Sequence, residues 1–115
     1  MRTILSSQRH DSVVAIRASE LVRAGARVCA DVEGYPQPPL IAGYRPDIVA
    51  YGIRNLISEI ETSESWSSSH TQEQLAAFAS VPNYQLEVVV PESVYYNALI
   101  FYPVSWQIQW RIFSD

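Results

Sequence analysis

Three acidic residues lie on two neighbouring predicted strands, and their spacing brings them together. Glu59 and Glu61 are two residues apart in an apolar segment, so their side chains leave the same face of a strand. Asp47 begins the preceding strand, and a short connection sets it beside Glu59. Like charges this close repel unless a cation lies between them or water solvates each one. Carboxylates are ligands that Mg²⁺ and Mn²⁺ prefer, so the sequence predicts a divalent-metal site, with a solvated charged edge as the alternative.

Predicted helices and strands alternate along the chain and position these acids. The first helix is predicted from apolar residues at helical spacing and from Gly25, which can end it in a left-handed cap. Thr71 and Gln74 form a capping-box pattern for the second helix, with Ser69 as the other candidate cap. The order α-β-β-β-α-β-α-β favours an α/β domain whose helices cover a sheet. The predicted elements are a helix over 11–24, strands over 27–33, 47–53 and 56–62, a helix from about 71 through 79, a strand over 84–90, a helix over 94–101 and a strand over 107–113.

Length and composition indicate one cytoplasmic domain. The chain has 115 residues, 48% of them hydrophobic, which is enough for a single core and little more. No apolar run approaches the length needed to span a bilayer, and residues 1–12 lack the pattern of a secretory signal. The single cysteine, Cys29, can form no intrachain disulfide, which suits a reducing compartment. These features predict a cytoplasmic protein without membrane partners.

The charge distribution divides the chain into a basic and an acidic part. The net charge is −4, which argues against a generally basic surface for nucleic acid. All eight basic residues are arginines, and seven of them precede residue 55, which gives +2 for the first 54 residues and −6 for the rest. The planar guanidinium group matches phosphate oxygens, although a compositional bias of the whole chain explains the lack of lysine equally well.

The segment Pro46-Asp47 followed by Glu59-Ile60-Glu61 resembles the PD-(D/E)XK nuclease superfamily, whose fold is called restriction endonuclease-like. In that family an Asp near the start of the second core strand and an acid on the third bind the catalytic metal, and Asp47 and Glu59 match them. The family's usual Lys is replaced by Glu61, as in some restriction enzymes of the superfamily. The resemblance covers roughly residues 10–113 and implies one domain over 1–115 with a central mixed sheet of about five strands flanked by helices.

The resemblance implies hydrolysis of phosphodiester bonds in DNA with Mg²⁺ or Mn²⁺ as the cofactor. Asp47, Glu59 and Glu61 would be the catalytic residues, and Glu20 on the first helix would add a metal ligand. A homodimer would enlarge the small surface available for recognising a duplex. His70 is a candidate base or a surface residue, and Trp66 is a candidate for base stacking or a hydrophobic anchor. The candidate nucleic-acid contacts are Arg45, Arg54, Gln72 and Gln74.

Two other functions stay open. The replacement of Lys by Glu61 and the acidic second half favour a catalytically inactive protein of the same fold that binds nucleic acid or protein. Aromatic residues near the end of the chain favour an interaction domain of an unrelated α/β fold, because Tyr and Trp are enriched at protein interfaces, or they simply fill the core. These aromatic residues are Tyr95, Tyr96, Phe101, Tyr102, Trp106 and Trp110.

Overall fold

The computed structural model describes residues 4–115, in which three α-helices pack on one five-stranded mixed sheet. The predicted α/β class and the sheet of about five strands are therefore confirmed. Arg2, one of the arginines of the basic half, lies outside the described residues. No helix in residues 4–115 is long and apolar enough to cross a membrane. The elements are α1 (Ile4–Arg23), β1 (Arg27–Ala30), β2 (Ile48–Tyr51), β3 (Asn55–Ile60), α2 (Ser69–Ala79), β4 (Tyr84–Pro91), α3 (Tyr95–Phe101) and β5 (Gln109–Phe113), with short 3-10 helices at Glu92–Val94 and Val104–Trp106.

The strands lie side by side in the order in which they occur along the chain, β1-β2-β3-β4-β5. β2 is antiparallel to both of its neighbours, and β4 is parallel to both of its neighbours. The predicted hairpin of the second and third strands is confirmed, with Ile48 opposite Ser58. One step further along this register, Asp47 comes level with Glu59.

Helices cover both faces of the sheet. α1 packs on one face through Val14 and Ala18, which join a buried cluster with Ile48 and Ile60. α2 and α3 pack on the other face in a second cluster. Side chains alternate along β3, so Ile60 faces α1 while Ile57 faces α2. Glu59 shares the parity of Ile57 and therefore points toward α2.

A buried ion pair ties α1 to the middle of the sheet. The Arg17 guanidinium donates from Nε and Nη2 to the two carboxylate oxygens of Glu87 on β4, over 2.9 and 2.7 Å. Ser58 Oγ also donates to Glu87 over 2.5 Å. Glu87 is 3% exposed, so this two-pronged contact compensates a charge that the core would otherwise reject.

α1 begins seven residues earlier than predicted, at Ile4 instead of residue 11. Ile4 and Leu5 in its first turn are 79% and 77% exposed. These apolar residues therefore do not follow the spacing of a buried helix face, and the start of the helix was not predicted. The predicted end is correct, because Gly25 adopts φ +96° and its amide donates to the Val22 carbonyl. The longer helix brings His10 into α1, within reach of Asp47.

The start of α2 also differs from the prediction. Ser68 is the N-cap, and its hydroxyl accepts a hydrogen bond from the Thr71 amide over 3.2 Å. Thr71 and Ser69 are therefore helical residues and not caps. β1, β2, β3 and β5 are each shorter than predicted, because the backbone pairing between strands ends where the loops leave the sheet.

Candidate acidic site

A cavity of about 680 Å³ opens where β2 and β3 meet α1 and the start of α2. The three predicted carboxylates all line it, so the structure brings Asp47, Glu59 and Glu61 together as the sequence predicted. We refer to this cavity as the acidic cavity. Its wall also includes polar residues from the loops and from both helices, which are His10, Asp31, Tyr44, Arg45, Ser65, Ser68, His70, Thr71 and Gln74.

Asp47 and Glu59 are joined by reciprocal hydrogen bonds between backbone and side chain. The Asp47 amide donates to Glu59 Oε2 over 2.6 Å, and the Ile60 amide donates to Asp47 Oδ2 over 2.9 Å. Glu59 Oε1 accepts a third hydrogen bond from the Gln74 side-chain amide on α2, over 2.7 Å. Glu59 is 2% exposed, so these donors stabilise a carboxylate that has little contact with water. The two acids therefore have fixed positions at the edge of the cavity.

Glu61 lies just beyond β3 and faces the start of α2. Its Oε1 accepts hydrogen bonds from Ser65 Oγ over 2.7 Å and from Thr71 Oγ1 over 3.1 Å. Burial and the nearby charge of Asp47 outweigh these donors and raise the pKa of Glu61 from 4.5 to about 7. Near neutral pH the group can therefore either hold or release a proton.

His10 completes the cavity and was not predicted from the sequence, which pointed to His70 instead. His10 is 6% exposed, with Nε2 3.2 Å from Asp47 Oδ2 and Nδ1 2.9 Å from Asp11 Oδ1. A signal for it existed, because His10 precedes Val13 and Val14 by three and four residues. Extending the helix one turn backwards would have placed it on the buried face.

Two of the four predicted nucleic-acid contacts reach the acidic cavity. Arg45 lines it and donates from Nη1 to the Pro38 carbonyl. Gln74 lines it through its hydrogen bond to Glu59. His70 also lies on the wall, with its ring edge-on to Tyr44 at a centroid distance of 6.0 Å.

Three other predicted residues lie elsewhere. Glu20 does not line the cavity; its carboxylate accepts from Arg17 Nη1 over 3.1 Å, beside the ion pair that ties α1 to the sheet. Arg54 precedes the first residue of β3, about 16 Å along the strand from Glu59 at the usual rise per residue. Gln72 donates to the Ser67 carbonyl over 2.9 Å and is exposed. The structure therefore does not place these three with the acids.

The aromatic residues near the end of the chain mostly belong to the core. Trp66 packs edge-on against Phe101 at 5.5 Å, and its carbonyl accepts a hydrogen bond from the Tyr102 hydroxyl over 2.5 Å. Burial, with a smaller contribution from the charge of Glu61, raises the pKa of Tyr102, so its hydroxyl remains a donor. The alternative of Trp66 as a hydrophobic anchor is the one that these contacts favour. Tyr96, at 74% exposure, and Phe101, at 47%, are the exceptions.

The donor chemistry of the acidic cavity suits a hard cation, although its geometry is not that of a closed metal cage. Within residues 4–115, no group of three or more His, Cys, Asp or Glu side chains is arranged to hold a metal ion. Mg²⁺ does not require such a group, since it keeps several waters and is bound by one or two carboxylates together with substrate phosphates. Asp47 and Glu59 line one cavity and supply two carboxylates, the number that such a site uses.

The chain matches no protein-family model, no curated protein and no solved structure. The chain is therefore classified by its fold and by its cavity. These are an α/β domain with a five-stranded mixed sheet and a carboxylate-lined cavity at one end of the sheet.

Proposed function

We propose that this protein is a divalent-metal-dependent nuclease that hydrolyses phosphodiester bonds in DNA, built on a restriction endonuclease-like core. The observation that carries the proposal is the pairing of Asp47, immediately before β2, with Glu59 on β3 at one cavity. The resemblance to the PD-(D/E)XK superfamily implies metal ligands at these two positions. The succession of helices and strands supports the same fold.

Asp47 and Glu59 would hold Mg²⁺ or Mn²⁺, and the bound ion would supply positive charge that polarises the phosphate and acidifies a water. Glu61 then accepts the proton of the attacking water, because its carboxylate lies on the wall of the same cavity as Asp47 and Glu59. Water oxygen bonds to phosphorus while the bond from phosphorus to the leaving oxygen breaks, and the leaving oxygen keeps the electron pair and takes a proton from solvent water. Arg45 orients the flanking phosphate, because a guanidinium group pairs well with phosphate oxygens.

A catalytically inactive protein of the same fold is the second candidate, and the hydrogen bonds of the glutamates favour it. Both oxygens of Glu59 already accept protein donors, and Glu61 accepts two hydroxyl groups. In this alternative the acids stabilise the ends of β2, β3 and α2, and the protein binds nucleic acid or protein without cleaving it.

Cleavage of plasmid and single-stranded DNA in Mg²⁺ or Mn²⁺ tests the nuclease proposal. Asp47→Asn and Glu59→Gln are expected to abolish cleavage, since each removes a ligand charge at little steric cost. Glu64→Gln is the matched control, because Glu64 is an exposed acid in the loop after β3 and should leave activity unchanged. Cleavage that persists equally in Asp47→Asn and Glu59→Gln would refute the assignment of the site.

Thermal unfolding with and without millimolar Mn²⁺ gives a readout that needs no substrate. Binding to the folded state alone raises the melting temperature of the wild type, and Asp47→Asn is expected to lose most of this rise. Stabilisation by Mn²⁺ without cleavage of any DNA would favour the inactive alternative. A wild-type melting temperature unaffected by Mn²⁺ would count against a metal site at these acids.

A further inference from the structure

A second concave surface lies at the other end of the sheet from the acidic cavity. Two adjoining cavities there, of about 410 and 530 Å³, share Arg54, Tyr84 and Gln85 in their walls. Each volume is within the range of small-molecule sites in proteins. We call this surface the amide groove and define it by six residues: Arg54, Tyr84, Gln85, Trp106, Gln107 and Gln109.

The amide groove carries one guanidinium group and three side-chain amides. In the described part of the chain, no hydrogen bond or ion pair engages the guanidinium group of Arg54. The same holds, over residues 4–115, for the side-chain amides of the three glutamines, Gln85, Gln107 and Gln109. Each amide offers both donors and an acceptor, and the guanidinium offers several donors in one plane. The groove therefore presents one cation and three two-way hydrogen-bonding groups to a ligand.

Aromatic rings accompany these polar groups. Tyr84 and Trp106 are both partly buried, so each ring is anchored in the protein while part of it remains accessible. Trp106 packs against Tyr102 at a centroid distance of 5.8 Å, which holds its indole in place. Phe78, which is 1% exposed, lies beneath them in the wall of the smaller cavity. A planar aromatic ligand would find apolar surface here as well as hydrogen bonds.

The end of a short 3-10 helix fixes the position of Gln107 in the groove. Gln107 adopts φ 57° and ψ 35°, the left-handed region that glycine occupies most easily. It is the C-cap of the 3-10 helix Val104–Trp106, and its backbone amide donates to the Val104 carbonyl over 3.0 Å. Glycine could adopt the same backbone conformation, but only glutamine places a side-chain amide at the rim of the groove.

We propose that the amide groove binds a nucleotide that carries a single phosphate. The base lies against Tyr84 and Trp106, the glutamine amides pair with the edge of the base, and Arg54 binds the phosphate. One guanidinium group matches one phosphate, whereas a long strand requires several cations along its path. A free nucleoside monophosphate is therefore the favoured source, and this site does not depend on the nuclease proposal.

Calorimetric titration of the full chain with AMP, adenosine and inorganic phosphate tests the proposal. AMP is expected to bind at one site, and Arg54→Gln should weaken it about tenfold, which corresponds to losing one charged hydrogen bond. Adenosine should bind more weakly than AMP and be insensitive to Arg54→Gln. Arg23→Gln is the matched control, because it removes the same charge from an exposed position on α1 and should leave AMP binding unchanged.

Trp106→Leu tests the stacking role, since leucine keeps apolar contact with Tyr102 but offers no aromatic face. It is expected to weaken AMP and adenosine alike, by about fivefold or more. A short single-stranded oligonucleotide forms the second arm, and tighter, Arg54-dependent binding than AMP would identify a strand as the source of the nucleotide. The proposal is overturned if neither AMP nor the oligonucleotide binds saturably. Equal weakening by Arg54→Gln and Arg23→Gln would overturn it as well, because binding would then reflect overall charge.

Discussion

Replacement of Glu61 by Gln is expected to stabilise the metal-free protein above pH 7. Burial and the charge of Asp47 raise the pKa of Glu61 from 4.5 to about 7 in the folded protein. The unfolded chain loses this proton near pH 4.5, whereas the folded protein keeps it until about pH 7. Between these two values the unfolded state binds fewer protons, so the contribution of Glu61 to stability falls as pH rises. Above pH 7 the loss is complete and constant.

The size of the effect follows from the same pKa values. The difference between the pKa of Glu61 in the folded and in the unfolded protein corresponds to about 3 kcal/mol of destabilisation at pH 8. A neutral side chain would remove this destabilisation. Gln preserves an acceptor for Ser65 and Thr71, but its amide nitrogen adds a buried donor that costs about 1 to 2 kcal/mol if unpaired. The net gain at pH 8 is therefore about 1 to 2 kcal/mol, or roughly 5 °C in melting temperature.

Urea unfolding followed by circular dichroism between pH 4 and 9, with EDTA present, measures this gain. By the same figures, the difference between Glu61→Gln and wild type should be about −1 to −2 kcal/mol near pH 4, rise through pH 6 and level off above pH 7. Glu64→Gln, the exposed control, should show no comparable pH-dependent gain. A gain that does not vary with pH, or a loss at pH 8, would refute the account of Glu61 as a buried carboxyl crowded by Asp47.

Three further substitutions test other parts of the structure. Arg17→Met should lower the free energy of unfolding by about 3 kcal/mol in urea, since it removes the two-pronged partner of buried Glu87 and leaves only Ser58 and the more distant Arg111, at 3.9 Å; a loss below about 1 kcal/mol would contradict that role. Tyr102→Phe should cost about 1 kcal/mol by the same measurement, because it removes the donor to a loop carbonyl, and no change would mean that water replaces the hydroxyl. Arg45→Ala should weaken DNA binding and reduce the slope of log affinity against log salt by about 1 in fluorescence anisotropy, whereas an unchanged slope would remove Arg45 from the interface.

The pairing of Asp47 with Glu59 was predictable from the sequence because it depends on local patterns. Alternation along β3 fixed the face of Glu59, and the short turn after β2 fixed which strand lies beside it. Alternation likewise places Val28 and Ala30 on the buried side of β1. The order of the strands and the pairing of β4 with β5 depend on contacts between distant parts of the chain. The sequence therefore predicted a sheet but not which strands lie next to each other.

The sequence did not indicate which residues lie with the acids where this depends on the start of a helix or on the end of a strand that they occupy. His10 was missed because the apolar residues at the start of α1 are exposed and give no periodic signal. Glu20 was assigned to the metal, but α1 carries it on the side of Arg17, where the two side chains pair. Arg54 is close to the acids in sequence, yet the length of β3 separates it from them.

The sequential order of the strands has a consequence for how the chain folds during synthesis. Each strand pairs with the one made just before it, so the sheet can grow from β1 outward without waiting for a distant segment. All residues lining the acidic cavity fall between positions 10 and 74, so they leave the ribosome before β4 and β5. The buried partner of Arg17 is on β4, so the ion pair that ties α1 to the sheet forms only after Glu87 has been synthesised. The carboxylates of the cavity would thus come together early in synthesis. The ion pair between α1 and β4 would form later, when β4 and β5 join the edge of the sheet.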